Sequence, residues 1–297
     1  MRNIFKPVDV ITLAFVMLLM AITALFFAAL PHWPWQIARF ALLVAGITAI
    51  AFSAARPNAW KPATYLHAFL PVVVIVVAFD SLGDLIPWIW PHYFDDELIR
   101  IDRAIFGVHP TVWMERFIHP VMTNVLQIAY ISYYPMSITL GIVLIMKHRT
   151  AAFDEAVFGI VLCFYLSYVG YLLVPAVGPR FTLADLQTTG LQASSFTLAI
   201  QNTLNALEHN KTDAFPSGHT AVALMTLYYA WKFREKRYAT ILAPTVLALI
   251  LATVYLRYHY VIDVIAGVLL TVLTIGIAPA LYRRLSRKGP SGDSAGA

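Results

Sequence analysis

The sequence predicts an all-α fold, a polytopic membrane helical bundle of about eight transmembrane helices. Three observations carry this. Only 12% of the 297 residues are charged and 60% are hydrophobic, whereas soluble domains run near roughly 25% charged. Several uncharged stretches reach the roughly 20 residues that cross a hydrocarbon core of about 30 Å. Those runs mix Leu and Ala with Val and Ile and show no period-two alternation, which favours helices over a transmembrane barrel. A soluble globule of this composition would expose apolar surface it could not solubilise. The single cysteine, Cys163, excludes an internal disulfide framework. The formal charge of +5 falls between apolar runs and not on a basic face, so nucleic acid is not an expected partner.

The predicted spans run 10–30, 35–53, 62–79, 124–146, 156–174, 214–231, 238–256 and 260–282. The first has a basic flank, but its apolar run is longer than the roughly 7 to 15 residues of a cleaved signal, so it reads as a retained span. An even number of spans puts both termini on one side. That side would hold Arg2, Lys6, Arg56, Lys61, Lys147, Arg149, Lys232, Arg234, Lys236, Arg237, Arg283, Arg284, Arg287 and Lys288, two thirds of the 21 basic residues. By the positive-inside rule both termini are cytoplasmic, in a multi-pass plasma or inner membrane. The tryptophans at 33, 35, 60, 88, 90, 113 and 231 lie at or beyond span ends, where amphipathic rings prefer the interface. The outer loop 80–123, with aromatics among acids and arginines, reads as short helices in the interface or as a soluble cap.

Three segments fall at the outer side. Gly178, Pro179 and Arg180 follow the fifth span; Pro216, Ser217, Gly218 and His219 open the sixth; Arg257, His259 and Asp263 join the seventh to the eighth. Spans five to eight, packed as neighbours, bring two histidines, a carboxylate and an arginine to one cleft. Pro216 suits a first helical turn, and Ser217 and Gly218 leave backbone N–H groups accessible at a helix N-terminus, which is an anion site. His259 and Asp263 are four residues apart and on a helix share a face, so the carboxylate can hold one imidazole nitrogen as N–H. The other nitrogen is then free to attack phosphorus. A covalent phosphohistidine splits the reaction into two easier steps, with His219 protonating the leaving alkoxide and later activating the acceptor. This chemistry needs neither metal nor cofactor. Arg180 reads as a phosphate ligand or as an interfacial anchor. Arg257 and Lys211 are further substrate-binding candidates, while the histidines at 32, 67, 92, 109, 119, 148 and 209 read as interface residues.

These segments resemble the three signature motifs of the type 2 phosphatidic acid phosphatase (PAP2) superfamily: Lys-x6-Arg-Pro, Pro-Ser-Gly-His, and Ser-Arg-x5-His-x3-Asp. Pro216-Ser217-Gly218-His219 matches in full, and His259 with Asp263 matches the end of the third. Leu173 stands where the first motif has lysine, Phe181 replaces its proline, and Thr253 replaces the arginine of the third. Together with Val174-Pro175 and the run from Val254 to Tyr260, these departures resemble the inositol phosphorylceramide synthase branch, which transfers a phosphoinositol headgroup between lipids. The resemblance implies that His259 is the nucleophile, oriented by Asp263, and that His219 is the acid. It implies a PAP2-like membrane catalytic core of six helices at 61–285, preceded by a two-helix extension at 1–60 and followed by a polar tail at 286–297. The expected partners are membrane lipids and a phospholipid or lipid phosphate substrate; the oligomeric state stays open.

Charge bears on the substrate. A monoester carries close to two negative charges and a diester one, so loss of the motif lysine and arginine favours a diester. Headgroup transfer to a lipid alcohol is therefore expected over hydrolysis of a monoester such as phosphatidic acid or a polyprenyl phosphate. The rivals are a transporter and an inactive relative. Spans mostly devoid of charge speak against the first, and retention of both histidines and the aspartate against the second. Vanadium haloperoxidases resemble the same motifs but are soluble. The topology is tested by Lys211→Cys and Arg234→Cys: a membrane-impermeant thiol reagent applied outside should label position 211 and spare 234, and the reverse pattern would overturn it.

Overall fold

Within a bilayer each backbone N–H and C=O must be satisfied inside its own segment, so uninterrupted apolar runs become helices. The computed structural model describes residues 4–56, 59–207 and 209–286, so the expected tail beyond Ser286 lies outside the described residues. Its helices are α1 (Pro7–Leu25), α2 (Trp33–Ala55), α3 (Lys61–Ile89), α4 (Asp95–Phe106), α5 (Pro110–Trp113), α6 (Pro120–Ile131), α7 (Tyr133–Met146), α8 (Thr150–Leu173), α9 (Pro179–Thr182), α10 (Ser195–Leu207), α11 (Gly218–Lys232), α12 (Lys236–Tyr255) and α13 (Val261–Ser286). Proline opens α1, α5, α6 and α9, where its missing N–H costs no hydrogen bond. Among the described residues no strand forms; an isolated parallel bridge pairs Ala176 with Asp213.

Six helices among the described residues, α1, α2, α3, α8, α12 and α13, are long and apolar enough to span a bilayer. The expected fourth span is the pair α6 and α7, bent by 46°. Pro135 in the first turn of α7 cannot donate to the preceding turn, which accounts for the break. The expected sixth span is corrected. Helix α11 has 15 residues, a rise of about 22 Å, because residues 214–217 form turns ahead of Gly218. Pro216 thus lies in that turn and not in the first turn of the helix. Helix α3 continues past Phe79 to Ile89, and the remainder of the expected outer loop contains the short helices α4 and α5.

Helix α8 is the central strut, packing against α1, α3, α7, α11 and α13. Gly159 admits α11, since a Cβ there would fall 1.9 Å from the Tyr229 hydroxyl. Helix α11 in turn contacts α12 and α13, and α12 packs against α6. The N-terminal pair is bound into this assembly. Phe15 stacks on Tyr165 with ring centroids 4.4 Å apart, and the Tyr165 hydroxyl donates to Thr12 at 3.1 Å. Asp9 and His67 are buried and meet at 2.9 Å. His67 is therefore no interface residue; it sits inside the bundle with a carboxylate partner.

At the end of the bundle opposite His219, the buried Glu235 accepts hydrogen bonds from Lys147 and from Arg149. Burial pushes its pKa up, but these two hydrogen bonds and the two positive charges together outweigh burial and hold it below the ordinary value of 4.5. A depressed folded pKa adds stability that is present above the unfolded value and lost as pH falls through the folded one. Glu235→Gln should therefore lower the Tm of the detergent-solubilised protein at pH 7, with the gap from the parent closing as pH drops below 4.5. A gap that persists unchanged at lower pH would refute the ionic contribution.

Candidate active site

His219 is the second residue of α11. Ser217 caps that helix, its hydroxyl accepting from the Thr220 N–H at 3.3 Å, and its own N–H donates to the Asp263 carbonyl at 2.9 Å. Gly218 is required by close packing, because a Cβ would lie 2.2 Å from the Tyr171 hydroxyl. His259 lies in the turn ahead of α13, and its N–H donates to the Thr253 carbonyl at 3.0 Å. Gly178 has φ +88°, and a Cβ there would meet the Tyr258 carbonyl at 2.5 Å, so only glycine serves where the first and third segments touch.

The two histidines face each other, with His259 Nε2 3.4 Å from His219 Nδ1. His259 Nδ1 lies 2.8 Å from the Ala214 carbonyl. A carbonyl can only accept, so Nδ1 carries the proton and Nε2 of the neutral ring keeps its lone pair. The expected direct grip of Asp263 on this ring is corrected. His259 precedes the first residue of α13, so the two side chains do not share a helix face. Asp263 Oδ2 lies 3.6 Å from Nδ1 and accepts the Tyr260 N–H at 2.8 Å, as an N3 side chain does in a capping box. Ala214 holds the tautomer, and Asp263 places a buried carboxyl group close to the ring.

Around His219 the walls are aromatic. Tyr133 meets its ring at 4.3 Å. Tyr130 stacks on it at 4.7 Å and on Tyr258 at 4.6 Å, and the Arg180 guanidinium lies 4.9 Å over Tyr258. Arg180 thus joins the histidines through two rings. Lys211 is partly buried on the segment that leads to Asp213, which pairs with Ala176. Arg257 is drawn elsewhere, donating to Glu115 at 3.0 Å and to the Thr189 carbonyl. Leu173 is exposed, and the buried Thr253 donates its hydroxyl to the Ile250 carbonyl at 2.7 Å. Beside His219 and Asp213 opens a cleft of about 380 Å³ lined by α3, α7 and α8.

Two residues outside the three segments hold them together. Asp95 and Asp102 are both buried, on the face of α4 that also buries Leu98. Asp95 accepts the Val177 and Gly178 N–H groups at 3.0 and 2.8 Å and the Tyr260 hydroxyl at 2.8 Å. Asp102 accepts the Val261 and Ile262 N–H groups at 2.9 and 2.8 Å, capping α13 from another helix. Burial raises the Asp102 pKa above its ordinary range, although both backbone donors pull it down. The sequence carried a signal for this pair: with Leu98, their spacing of three and four places both acids on an apolar face.

The family model described as PAP2 superfamily matches residues 96–277. A PA-phosphatase related-family protein of Dictyostelium discoideum is 24% identical over 221 residues, which cover 67% of this chain and 38% of that protein. The match thus spans well under half of the relative's length. No solved structure matches. The cap from α4 predicts that Asp102→Ala, which strands two N–H groups, costs about 1–2 kcal/mol of stability, with Asp102→Asn recovering part of it. Thermal unfolding in detergent checks this, and an unchanged midpoint for the alanine variant would show that α4 does not hold α13.

Proposed function

This chain belongs to the PAP2 superfamily, and on that premise we propose that it is an integral-membrane lipid phosphoryl-transfer enzyme acting through a phosphohistidine on His259. Family membership supports an activity of the lipid phosphatase or phosphotransferase type. The observation that carries the finer reading is the His259 ring, whose Nδ1–H donates to the Ala214 carbonyl while Nε2 faces His219 at 3.4 Å. In the first step Nε2 attacks phosphorus, the bond from phosphorus to the leaving oxygen breaks, and His219 protonates the alkoxide. In the second, His219 takes the proton of an acceptor hydroxyl, that oxygen attacks phosphorus, and the P–N bond breaks. Asp263 stabilises the charged His259 ring as the bond to phosphorus forms. Arg180 serves the phosphoryl oxygens; the Ser217 N–H, expected there, is instead committed to the Asp263 carbonyl.

Charge favours a diester. The motif lysine is replaced by the exposed Leu173, the motif arginine by the buried Thr253, and Arg257 is engaged by Glu115. A weak positive field suits one negative charge better than two. We therefore read the reaction as transfer of a phosphodiester headgroup, of the phosphoinositol type, from a phospholipid to a lipid alcohol. The site lies at the outer face, opposite the basic residues at 147–149 and 232–237, with residues 61–285 as the catalytic unit and both termini cytoplasmic.

His219→Ala and His259→Ala should each lower turnover by about 10³-fold or more, and the double variant should be barely worse, because residues acting as one unit are non-additive. Purified protein given labelled phosphatidylinositol should release diacylglycerol only when a lipid alcohol is added. Faster turnover of phosphatidic acid, independent of any alcohol, would make the protein a phosphatase instead. Substantial activity left in His259→Ala would remove the phosphohistidine.

A further inference from the structure

The cleft beside the histidines has its charged and titratable lining, Asp213 and His219, at one end. Apart from the Ser137 hydroxyl, the rest is aliphatic or aromatic, chiefly valine, isoleucine, phenylalanine and tyrosine. Along α8 the lining recurs at Phe153, Val157, Ile160, Phe164, Tyr168 and Tyr171, one face of the helix from its first turn to its last. From Phe153 to Tyr171 the helix rises about 27 Å, close to the whole hydrocarbon core of about 30 Å. The lining on α3 reaches back to Ala68 and that on α7 to Gly141, both well toward the end away from His219. Val72 and Val76 line the cleft and are exposed as well, so it opens sideways between helices into the surrounding lipid.

Resting on the lipid phosphoryl-transfer reading, we infer that this cleft holds one hydrocarbon chain of the phosphate-bearing lipid, threaded from His219 past the bilayer midplane, and that it selects chains long enough to approach Phe153. The matching chemistry is an amphiphile: an anionic head at the histidines and Arg180, an apolar body along α8. A chain confined to one leaflet, about 15 Å deep, leaves the far half of the cleft unfilled, and each further methylene buried there is favourable. At about 380 Å³ the cleft is near the small end of ligand pockets, which run from about 300 to 1,000 Å³, and takes one chain. A second chain leaves through the side bounded by Val72 and Val76. Gly141 sets the far end, because a Cβ there would come 3.2 Å from the Phe153 ring and crowd it into the channel.

Two measurements on the full chain in lipid nanodiscs test this. The first is kcat/KM for single-chain alkyl phosphates and alkyl phosphoinositols, with a lipid alcohol present, across chains shorter and longer than about 15 Å. The longer chains should be favoured by about tenfold or more. Gly141→Leu and Ile160→Trp should move the optimum toward shorter chains, whereas Leu269→Trp, on the exposed face of α13, should keep the parent profile. The second needs no turnover: an alkyl phosphate with a diazirine at its chain end should, on photolysis, label peptides containing Phe153 or Gly141. A flat chain-length profile with labelling confined to exposed faces overturns the cleft assignment while leaving the enzyme reading. Labelling at Phe153 without turnover of any phosphate or phosphodiester overturns the enzyme reading and keeps the cleft. Neither label nor turnover overturns both.

Discussion

Two carboxylates on one side of α4 hold the loops that adjoin Arg180 and His259. Irregular backbone at the edge of a hydrocarbon layer is tolerated only where its N–H groups find acceptors within the protein. The stretch just before Arg180, at 174–178, and the one that carries His259 are irregular. Asp95 takes the N–H groups at 177 and 178, and Asp102 those at 261 and 262. From the first of these loops the order passes on through the backbone. The Ala214 N–H donates to the Ala176 carbonyl at 3.0 Å, and the Ala214 carbonyl accepts from the His259 Nδ1–H. The tautomer of one imidazole thus rests on a chain of hydrogen bonds that begins at a helix outside the three motif segments.

Much of this was legible in the sequence. Long uncharged runs predicted the spans, and loop order brought Gly178 to Arg180, Ser217 to His219 and His259 to Asp263 to one end, because successive membrane helices alternate direction. Less legible were features set by tertiary contacts. Residues 214–217 read as helix from composition, yet their backbone is used by Ala176, Asp263 and His259. The four-residue spacing of His259 and Asp263 suggested a shared helical face, but α13 begins between them, and Asp263 serves the Tyr260 N–H at the helix start. Arg257, near the motif histidine in sequence, found Glu115, more than a hundred residues away. An acid on a short amphipathic helix reads as a solvated face. Only the company of Leu98 marks Asp95 and Asp102 as buried.

The kink between α6 and α7 joins architecture to site. Tyr130 and Tyr133 stand on either side of Ser132, where the chain turns by 46°, and both rings lie against His219. Two straight spans would carry residues three apart along one helix face; the bend lets them approach one imidazole from different angles. Two aromatic rings thus wall the His219 imidazole, one from each side of the bend.

The contacts that bind α1 into the bundle carry a consequence for biogenesis. Asp9 and His67 are separated by 58 positions, and Thr12 and Tyr165 by 153. At about 5–20 residues per second, Tyr165 is synthesised roughly 8–30 s after Thr12. During that interval the helix enters the membrane with a hydroxyl whose final partner does not yet exist, and for roughly the first 3–12 s its carboxylate lacks His67 as well. Helix α1 can therefore close onto α8 only after that later helix has been made.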